Sequence, residues 1–432
     1  MYFVLALLLV QDTRLVVEPV IPKSCAVLES RSSSLDEDKA DTVRIQQALE
    51  KCPAGQAVEL RGKVLLAGPL QLRAGVTLLV DRGTTLYGSR NPRDYDITPG
   101  SCGVVDKKGR GCKPLISGDH VSGAGVMGDG AIDGRGGATL IGQHVSWWDL
   151  AQEAKVKNLN QSVPRLMGLS HCDNFTLYRI KLRNSANFHV AYSGGNGFTA
   201  WGVIINSPKT ARNTDGIDPG SAQNVTIKRC FIHTGDDNVA IKAGLPGPTS
   251  HMTIEDNHFY TGHGMSIGSE TDGGASAIRV TNLSIDGADN GIRIKSNSSR
   301  GGPVRDVVYE DVCIKDTKNP ILMDSNYSYM GEARDKLPSF EGIILRNVRV
   351  LSAGKITLDG FDAAHRLGIT FDNVFLDDEK SSKFTATHAV INYGPGDVNF
   401  RASGDDVQAT GVFGKVKRNA CAGKFVPFPD SY

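Results

Sequence analysis

Three aspartates in the middle of the chain are the residues best suited to chemistry. Asp215 ends the segment Asn-Thr-Asp, and Asp236 and Asp237 end the segment Gly-Asp-Asp. Hydrolysis of a glycosidic bond needs one protonated carboxyl group for the leaving oxygen and one carboxylate that activates a water on the opposite face of the sugar. Each segment alone is an ordinary turn sequence, so the hypothesis depends on what brings the segments together.

An imidazole and two cations follow at similar intervals along the chain. His263 lies between two glycines, and Arg293 and Lys295 flank an isoleucine. Arginine binds carboxylates in a bidentate manner, which suits an acidic substrate. Taken singly, His263 could be a turn residue and the two cations a solvated strand face. Their recurrence in consecutive units of the chain favours a site for an anionic sugar.

A degenerate nine-residue pattern surrounds these segments and predicts how they are positioned. Its copies begin 23 to 36 residues apart, and periods of about 20–50 residues indicate a solenoid, a propeller or an array. Each unit holds short strands between Gly, Asn and Asp turns, whereas a propeller blade needs four longer strands. The sequence therefore predicts an all-β fold, a single right-handed parallel β-helix with one unit per coil. The copies are NFTLYRIKL from Asn174, GFTAWGVII from Gly197, NVTIKRCFI from Asn224, HMTIEDNHF from His251, AIRVTNLSI from Ala277, DVVYEDVCI from Asp306, GIILRNVRV from Gly342 and GITFDNVFL from Gly368.

Isoleucines in four consecutive coils predict the register of the strands at the site. Aligning them stacks four short parallel strands about 4.8 Å apart, and alternation turns the neighbours of each isoleucine outward. Asp237 and His263 each lie four residues before their isoleucine, so we expect them to be stacked neighbours. Asp215 lies two residues before its isoleucine, and we expect a bend at the strand start to expose it. The isoleucines are Ile217, Ile241, Ile267 and Ile294, and the residues expected on the outer face are Asp218, Lys242, Arg293 and Lys295.

Composition and the first residues bear on partners and location. The chain has 48 Lys and Arg against 47 Asp and Glu, so no global field marks it for nucleic acid or an anionic membrane. The apolar run at residues 1–10 is too short to span a bilayer. It resembles the middle of a secretion signal, and a buried terminal strand is the alternative. We expect a secreted, extracellular monomer.

Eight cysteines are present, and none shows the spacing of a metal site. Two pairs bracket a short predicted helix and a loop, where a disulfide would staple irregular chain. Cys230 and Cys313 occupy interior strand positions, where a thiol is usually an inert apolar group. The two disulfides predicted are Cys25–Cys52 and Cys102–Cys112.

A helix is predicted near Thr42 to Lys51, with Asp41 as its N-cap. Because a β-helix exposes an apolar end, this short N-terminal helix is expected to cap it. The predicted division of the chain is a signal-like segment with an N-terminal extension at 1–23, the β-helix catalytic domain at 24–400, and a C-terminal extension of unassigned role at 401–432.

Four ordered motifs carry a family resemblance. The set NTD, GDD, GHG and RIK resembles the signature of the polygalacturonases, glycoside hydrolase family 28, of the bacterial endo-acting type. The segments SCGVVDKKGRGC, SWWDL, NFHV and ARNTDGIDP extend the resemblance, which covers roughly Ser24 to Leu376. The resemblance implies a pectin-lyase-like solenoid that hydrolyses the α-1,4-galacturonosidic bonds of polygalacturonate, the pectin backbone, with inversion.

The resemblance also implies the roles of the acidic residues and of the histidine. Asp236 is expected to be the general acid, and Asp215 and Asp237 are expected to hold and activate the water. His263 is expected to lie beside the acid and adjust its hydrogen bonds.

Substrate binding is the second set of roles that the resemblance implies. Arg293 and Lys295 are expected to bind the galacturonate carboxylate next to the cut bond. Tyr327, in the segment Asp-Ser-Asn-Tyr, matches a substrate-contacting tyrosine, and a loop aromatic is its alternative interpretation. No metal or other cofactor is expected.

Other functions use the same fold. A pectate lyase would have a calcium-binding carboxylate cluster without the GHG and RIK motifs, and both motifs are present. A β-helix that binds polysaccharide without cutting it predicts the loss of at least one aspartate, and all three are intact. A rhamnogalacturonan hydrolase is disfavoured by Arg293 and Lys295, which suit a carboxylate at the cutting position. Exo action needs an insertion that closes the cleft, and only a modest extra stretch occurs, at 329–339, so endo action is favoured.

Overall fold

The structure is a computed structural model that describes residues 11–244, 246–327, 331–411 and 420–429. The signal-like run at residues 1–10 lies outside the described residues. The chain divides into two compact units. The N-terminal unit consists mainly of Val16–Asp218 and Ile232–Asp236, and the C-terminal unit mainly of Pro219–Phe231 and Asp237–Phe428.

Three ladders of parallel strands build the N-terminal unit. The first ladder contains Ser24–Glu29, Ala57–Arg61, Thr77–Val80, Gly125–Met127, Phe175–Tyr178 and Asn196–Trp201. The second contains Val64–Ala67, Thr85–Gly88, Ala131–Asp133, Lys181–Arg183 and Ile204–Asn206. The third contains Leu70–Gln71, Ile116–Asp119, Met167–Ser170 and Val190–Ser193. An antiparallel pair, Val104–Asp106 with Asn160–Ser162, lies beside them. The strands Ile217–Gly220 and Phe231–His233 each contain residues of both units.

Longer parallel strands build the C-terminal unit. One ladder contains Gln223–Lys228, Thr249–Glu255, Ala275–Asp286, Pro303–Lys315, Ser339–Val350, Leu367–Leu376, Lys383–Tyr393 and Asp405–Gly411. The other contains Val239–Ile241, Met265–Ile267, Asn290–Lys295, Asn319–Asp324 and Lys355–Asp359, and it ends on Lys383–Tyr393. The short strand His258–Phe259 pairs with Ala275–Asp286. Each unit is thus a stack of parallel coils, and the predicted parallel β-helix is confirmed.

Two positions of the nine-residue repeat have a positive φ. The sixth residue does so in all eight copies, and the first residue does so in seven. The sixth position holds Arg179 (φ 63°) in the first copy and Asn373 (φ 58°) in the last. Asn, Asp and Gly tolerate this backbone region best, which explains why they recur at these positions. Asn373 also donates a hydrogen bond to Asn347 one coil earlier (2.8 Å), so the turns themselves are stacked.

The predicted isoleucine register is confirmed within the C-terminal unit. Ile241 pairs with Ile267, and Ile267 pairs with Ile294. All three side chains are fully buried, so they form part of the core between the ladders. The residues that flank them are therefore directed away from the core, as alternation requires.

Two α-helices occur among the described residues. Helix α1, Thr42–Lys51, has the predicted bounds, and it buries Ile45 and Leu49 against the neighbouring strands. Asp41 occupies the N-cap position, as predicted, but its side chain makes no capping hydrogen bond and binds Arg44 instead (2.7 Å). Helix α2, Trp147–Lys157, was not predicted, although Ser146 begins a complete capping box. Short 3₁₀ helices occupy Glu37–Lys39 and Pro92–Tyr95.

Three disulfides stabilise the chain. Two join the pairs singled out in the sequence, Cys25–Cys52 and Cys102–Cys112. The third, Cys313–Cys421, spans 108 residues. The expectation that Cys313 is an inert thiol was therefore wrong, because the segment at 420–428 returns to the strand Pro303–Lys315. Tyr260 fixes the same segment through a hydrogen bond to the carbonyl of Val426 (2.9 Å).

Candidate active site

The N-terminal unit carries two of the predicted catalytic aspartates on two bonded segments. We call residues 211–216 the Asp215 loop and residues 234–236 the Asp236 turn. The hydroxyl of Thr214 donates to the carbonyl of Ala211 (2.6 Å). It also accepts a hydrogen bond from the backbone N–H of Gly235 (3.0 Å). These two bonds connect the Asp215 loop directly to the Asp236 turn.

Gly235 is a steric requirement of this contact. A Cβ atom at this position would lie 2.1 Å from the carbonyl oxygen of Ala211, which no side chain tolerates. The hydroxyl of Thr234 donates to the carbonyl of Asp236 (2.7 Å) and so fixes the backbone of the turn. The glycine of the GDD motif therefore lets the Asp236 turn approach the Asp215 loop closely.

His189 supports the backbone of Asp215, and sequence reasoning missed it. Its backbone N–H and its ring Nδ1 both contact the carbonyl oxygen of Asp215 (2.8 and 3.0 Å). Since a carbonyl oxygen only accepts hydrogen bonds, Nδ1 carries the proton, and Nε2 accepts from the hydroxyl of Ser207 (2.9 Å). Complete burial lowers the pKa of His189 to about 4, so the imidazole is neutral at neutral pH. His189 lies in the NFHV segment, which contributed to the family resemblance but from which no role for the histidine was predicted.

Asp215 departs from the prediction of an exposed carboxyl group. The strand begins at Ile217, so Asp215 precedes it, but only 4% of the residue is exposed. Asp218, predicted on the outer face, is equally buried. The Asp215 loop packs against His189 and against the Asp236 turn. These contacts bury the loop, so the bend at the start of the strand does not expose Asp215 to solvent.

The C-terminal unit holds Asp237 between two cations and a hydroxyl group. Lys295 Nζ lies 2.8 Å from Asp237 Oδ2, and Arg293 Nη1 lies 3.2 Å from Oδ1. The hydroxyl of Ser266 donates to Oδ1 (2.7 Å). We call these four residues the Asp237 group. Two cations and one anion give the group a net charge of +1, which leaves positive charge for an anionic ligand.

The cations of the Asp237 group are buried, and one of them is not fully hydrogen-bonded. Arg293 and Lys295 are 6% and 7% exposed. Within the described part of the chain, Arg293 Nε is buried and has no hydrogen-bond partner. The ring of Tyr327 lies 5.4 Å from the guanidinium of Arg293 and 5.5 Å from Lys295 Nζ, at cation–π distance. The structure thus brings together the three residues predicted to bind substrate.

His263 lies near Asp237, as predicted from the register. A ring nitrogen of His263 and a carboxylate oxygen of Asp237 lie within 4.8 Å of each other. His263 Nε2 also lies 3.9 Å from a carboxylate oxygen of Asp289, a residue that sequence reasoning missed. Gly264 has φ 72°, and a Cβ there would lie 2.2 Å from the carbonyl oxygen of Asn290. The second glycine of the GHG motif is therefore required by the adjacent coil.

These observations define the class of the protein and then its family. Stacked parallel coils that carry carboxylates, an imidazole and paired cations are the architecture of a β-helical glycoside hydrolase. The model of the family described as glycosyl hydrolases family 28 matches residues 46–392, and the chain belongs to this family.

Relatives cover nearly the whole chain. An endo-polygalacturonase of Pectobacterium carotovorum subsp. carotovorum is 45% identical over 369 residues, which cover 84% of this chain and 90% of the relative. A polygalacturonase of Ralstonia nicotianae is 38% identical and covers 95% of this chain and 92% of the relative. The solved structure of a polygalacturonase from Erwinia carotovora ssp. carotovora aligns with a TM-score of 0.84 and 43% identity, over 88% of this chain and 100% of that one.

Proposed function

We propose that this chain hydrolyses the α-1,4-galacturonosidic bonds of polygalacturonate at internal positions. The observation that carries the proposal is the net positive charge of the Asp237 group, next to the unpartnered Nε of Arg293. A uronate carboxylate supplies the missing anion and accepts from an arginine fork. Family membership and the 45% identity to an endo-polygalacturonase support the same reaction.

Each aspartate has a separate role in the proposed mechanism. Asp236 protonates the leaving glycosidic oxygen as the general acid. Asp215 and Asp237 hold the water and activate it for attack on the opposite face of the sugar, which inverts the anomeric centre. Two cations within 3.2 Å stabilise the negative charge of Asp237, as this role requires. His263 lies beside this machinery and orders its hydrogen bonds.

Substrate binding is assigned to the residues around the Asp237 group. Arg293 and Lys295 bind the carboxylate of the galacturonate next to the cut bond. The ring of Tyr327 covers both cations and contacts the sugar.

We further propose that the protein is secreted. Its three disulfides are the main support, since disulfides persist in oxidising compartments. None of the described helices is long and apolar enough to cross a membrane.

Incubation with polygalacturonate in the presence of a chelator tests the reaction. We expect new reducing ends, no ultraviolet-absorbing unsaturated ends, and a viscosity that falls early because internal bonds are cut. Unsaturated ends that disappear on chelation would identify a lyase instead. Release of single sugars with little change in viscosity would contradict endo action.

A further inference from the structure

Two exposed histidines are stacked at a turn of the N-terminal unit. His120 follows the strand Ile116–Asp119, and His171 follows Met167–Ser170, the next strand of the third ladder. The backbone N–H of His120 donates to the carbonyl of Ser170 (2.9 Å), so the ladder continues into the turn. The two imidazole rings are nearly parallel (8°), and their centres lie 4.6 Å apart. Two consecutive coils therefore present imidazoles at the same position.

Asp119 adds a carboxylate to this pair. Its Oδ1 lies 2.9 Å from His120 Nδ1. One carboxylate oxygen of Asp119 and one ring nitrogen of each histidine all lie within 4.8 Å of one another. Ligand atoms on one tetrahedral ion are about 3.4 Å apart, because each lies about 2.1 Å from the metal. All three side chains are exposed, so rotation about their side-chain bonds closes the remaining distance. We call these three residues the histidine cluster.

The ring of His171 is positioned by its own strand and by the next coil. Gly194 follows Val190–Ser193, the strand that pairs with Met167–Ser170. A Cβ atom at Gly194 would lie 2.9 Å from His171 Nε2, so the glycine leaves room for the imidazole. The hydroxyl of Ser170 lies 2.9 Å from His171 Nδ1 and orients the ring.

The histidine cluster is separate from the residues around Asp215. His189, which supports the backbone of Asp215, precedes the strand Val190–Ser193, whereas Gly194, beside the ring of His171, follows it. Four residues of a β-strand extend about 13 Å. The cluster therefore lies at the opposite end of this strand from the support of the proposed catalytic residue.

The ligand types of the cluster select a class of ion. Imidazole nitrogens suit zinc, copper and nickel, whereas calcium and magnesium take oxygen ligands. Two imidazoles and one carboxylate supply three protein ligands to a tetrahedral ion, and a water completes its coordination.

We propose that Asp119, His120 and His171 bind a divalent transition-metal ion. The ion joins the turn after Ile116–Asp119 to the turn after Met167–Ser170 and so links two consecutive coils of the N-terminal unit. Its role is to stabilise the fold, and it takes no part in hydrolysis. The inference is thus independent of the proposed function.

Titration calorimetry of the full chain with zinc chloride tests the proposal. His263→Asn is the parent protein, because His263 and Asp237 also lie within 4.8 Å of each other and an ion held there must not be counted. His171→Asn removes one ligand of the histidine cluster. His251→Asn is the matched control, because His251 also has a positive φ (59°) and its Nδ1 lies 3.0 Å from the hydroxyl of the preceding Ser250. Asparagine tolerates this backbone region, so both substitutions preserve the turn.

We expect the parent and the control to bind one zinc ion with equal affinity. His171→Asn should bind zinc at least about tenfold more weakly, since even the loss of a residue that orients a ligand costs about 10–100-fold. Zinc should also raise the midpoint of thermal unfolding of the parent and the control more than that of His171→Asn, because an ion that binds only the folded chain stabilises it.

Melting without zinc verifies that each variant is folded. The site is excluded if His171→Asn binds zinc as tightly as the control does, or if the parent binds no zinc. In the wild-type background, His171→Asn should release reducing ends from polygalacturonate at an unchanged rate. Failure of the proposed function has a different signature, namely that the wild-type protein releases no reducing ends at all.

Discussion

The Asp215 loop and the Asp237 group hold an aspartate in opposite ways. His189 binds the backbone carbonyl of Asp215 through neutral groups. Around Asp237, by contrast, two cations and a hydroxyl bind the carboxylate itself. Any residue supplies a backbone carbonyl, whereas only an acidic residue supplies a negative charge that partly offsets two buried cations. The contacts of His189 thus act on the backbone of Asp215, whereas the contacts around Asp237 act on the carboxylate that the chemistry uses.

The largest expected effect concerns Asp236, whose carbonyl is fixed by Thr234. Asp236→Asn removes the proposed acid and keeps the shape of the side chain. We expect kcat on polygalacturonate to fall by about 10²–10⁴-fold, the usual contribution of general acid catalysis, with little change in the free energy of unfolding. Near-wild-type turnover in a folded variant would refute the assignment of the acid.

Asp237→Asn and Asp215→Asn form a matched pair that tests the comparison itself. Asp237→Asn leaves Arg293 and Lys295 buried without a counter-charge, which should lower the free energy of unfolding by about 3 kcal/mol. Asp215→Asn keeps the carbonyl that His189 binds, so we expect a smaller loss of about 1 kcal/mol, the typical cost of a single substitution. Both variants should lose hydrolysis. Denaturant unfolding of the two variants measures the difference, and equal destabilisation would show that the two regions are not held differently.

His189 makes the support of Asp215 sensitive to acid. The pKa is lowered to about 4 in the fold and is about 6.5 in the unfolded chain. The unfolded chain therefore binds more protons below pH 6.5, so stability is lost as the pH falls from 6.5 towards 4. By pH 5 the loss amounts to about 2 kcal/mol.

Denaturant unfolding of the wild type and of His189→Asn at pH 7 and pH 5 measures this pH-dependent loss of stability. The difference in free energy of unfolding between the two proteins should be smaller at pH 5 than at pH 7. The variant lacks the imidazole, whereas all other titrating groups are present in both proteins. A gap that stays constant would mean that His189 is charged in the fold or does not control this region.

Much of the fold could be predicted from the sequence because the backbone conformation of each repeat depends on residues within that repeat. The positive φ at the sixth residue of every repeat, and at the first residue of seven of the eight, selects Asn, Asp and Gly, although Arg179 also adopts it. The isoleucine register placed Asp237 beside His263 because both lie in coils of similar length. Helix α2 was missed because it interrupts the coils outside the repeat, although Ser146 and Asp149 carry its capping signal.

The partners of the site residues could not be predicted in the same way. Ser266 reaches Asp237 from the next coil, and such a contact depends on side-chain direction as well as on register. In the sequence, nothing distinguishes His189 from an ordinary strand residue. Its role depends on a contact with the carbonyl of Asp215, which lies 26 residues further along the chain. Cys421 follows the last repeat, so no periodicity relates it to Cys313.

The anomeric configuration of the newly formed reducing ends, followed by proton NMR early in the digestion of polygalacturonate, tests the central claim most directly. A water held by Asp215 and Asp237 on the face opposite Asp236 must produce β-anomers first from α-linked substrate, with α-anomers appearing only by later mutarotation. Initial formation of α-anomers would mean retention, and it would contradict the roles given to all three aspartates.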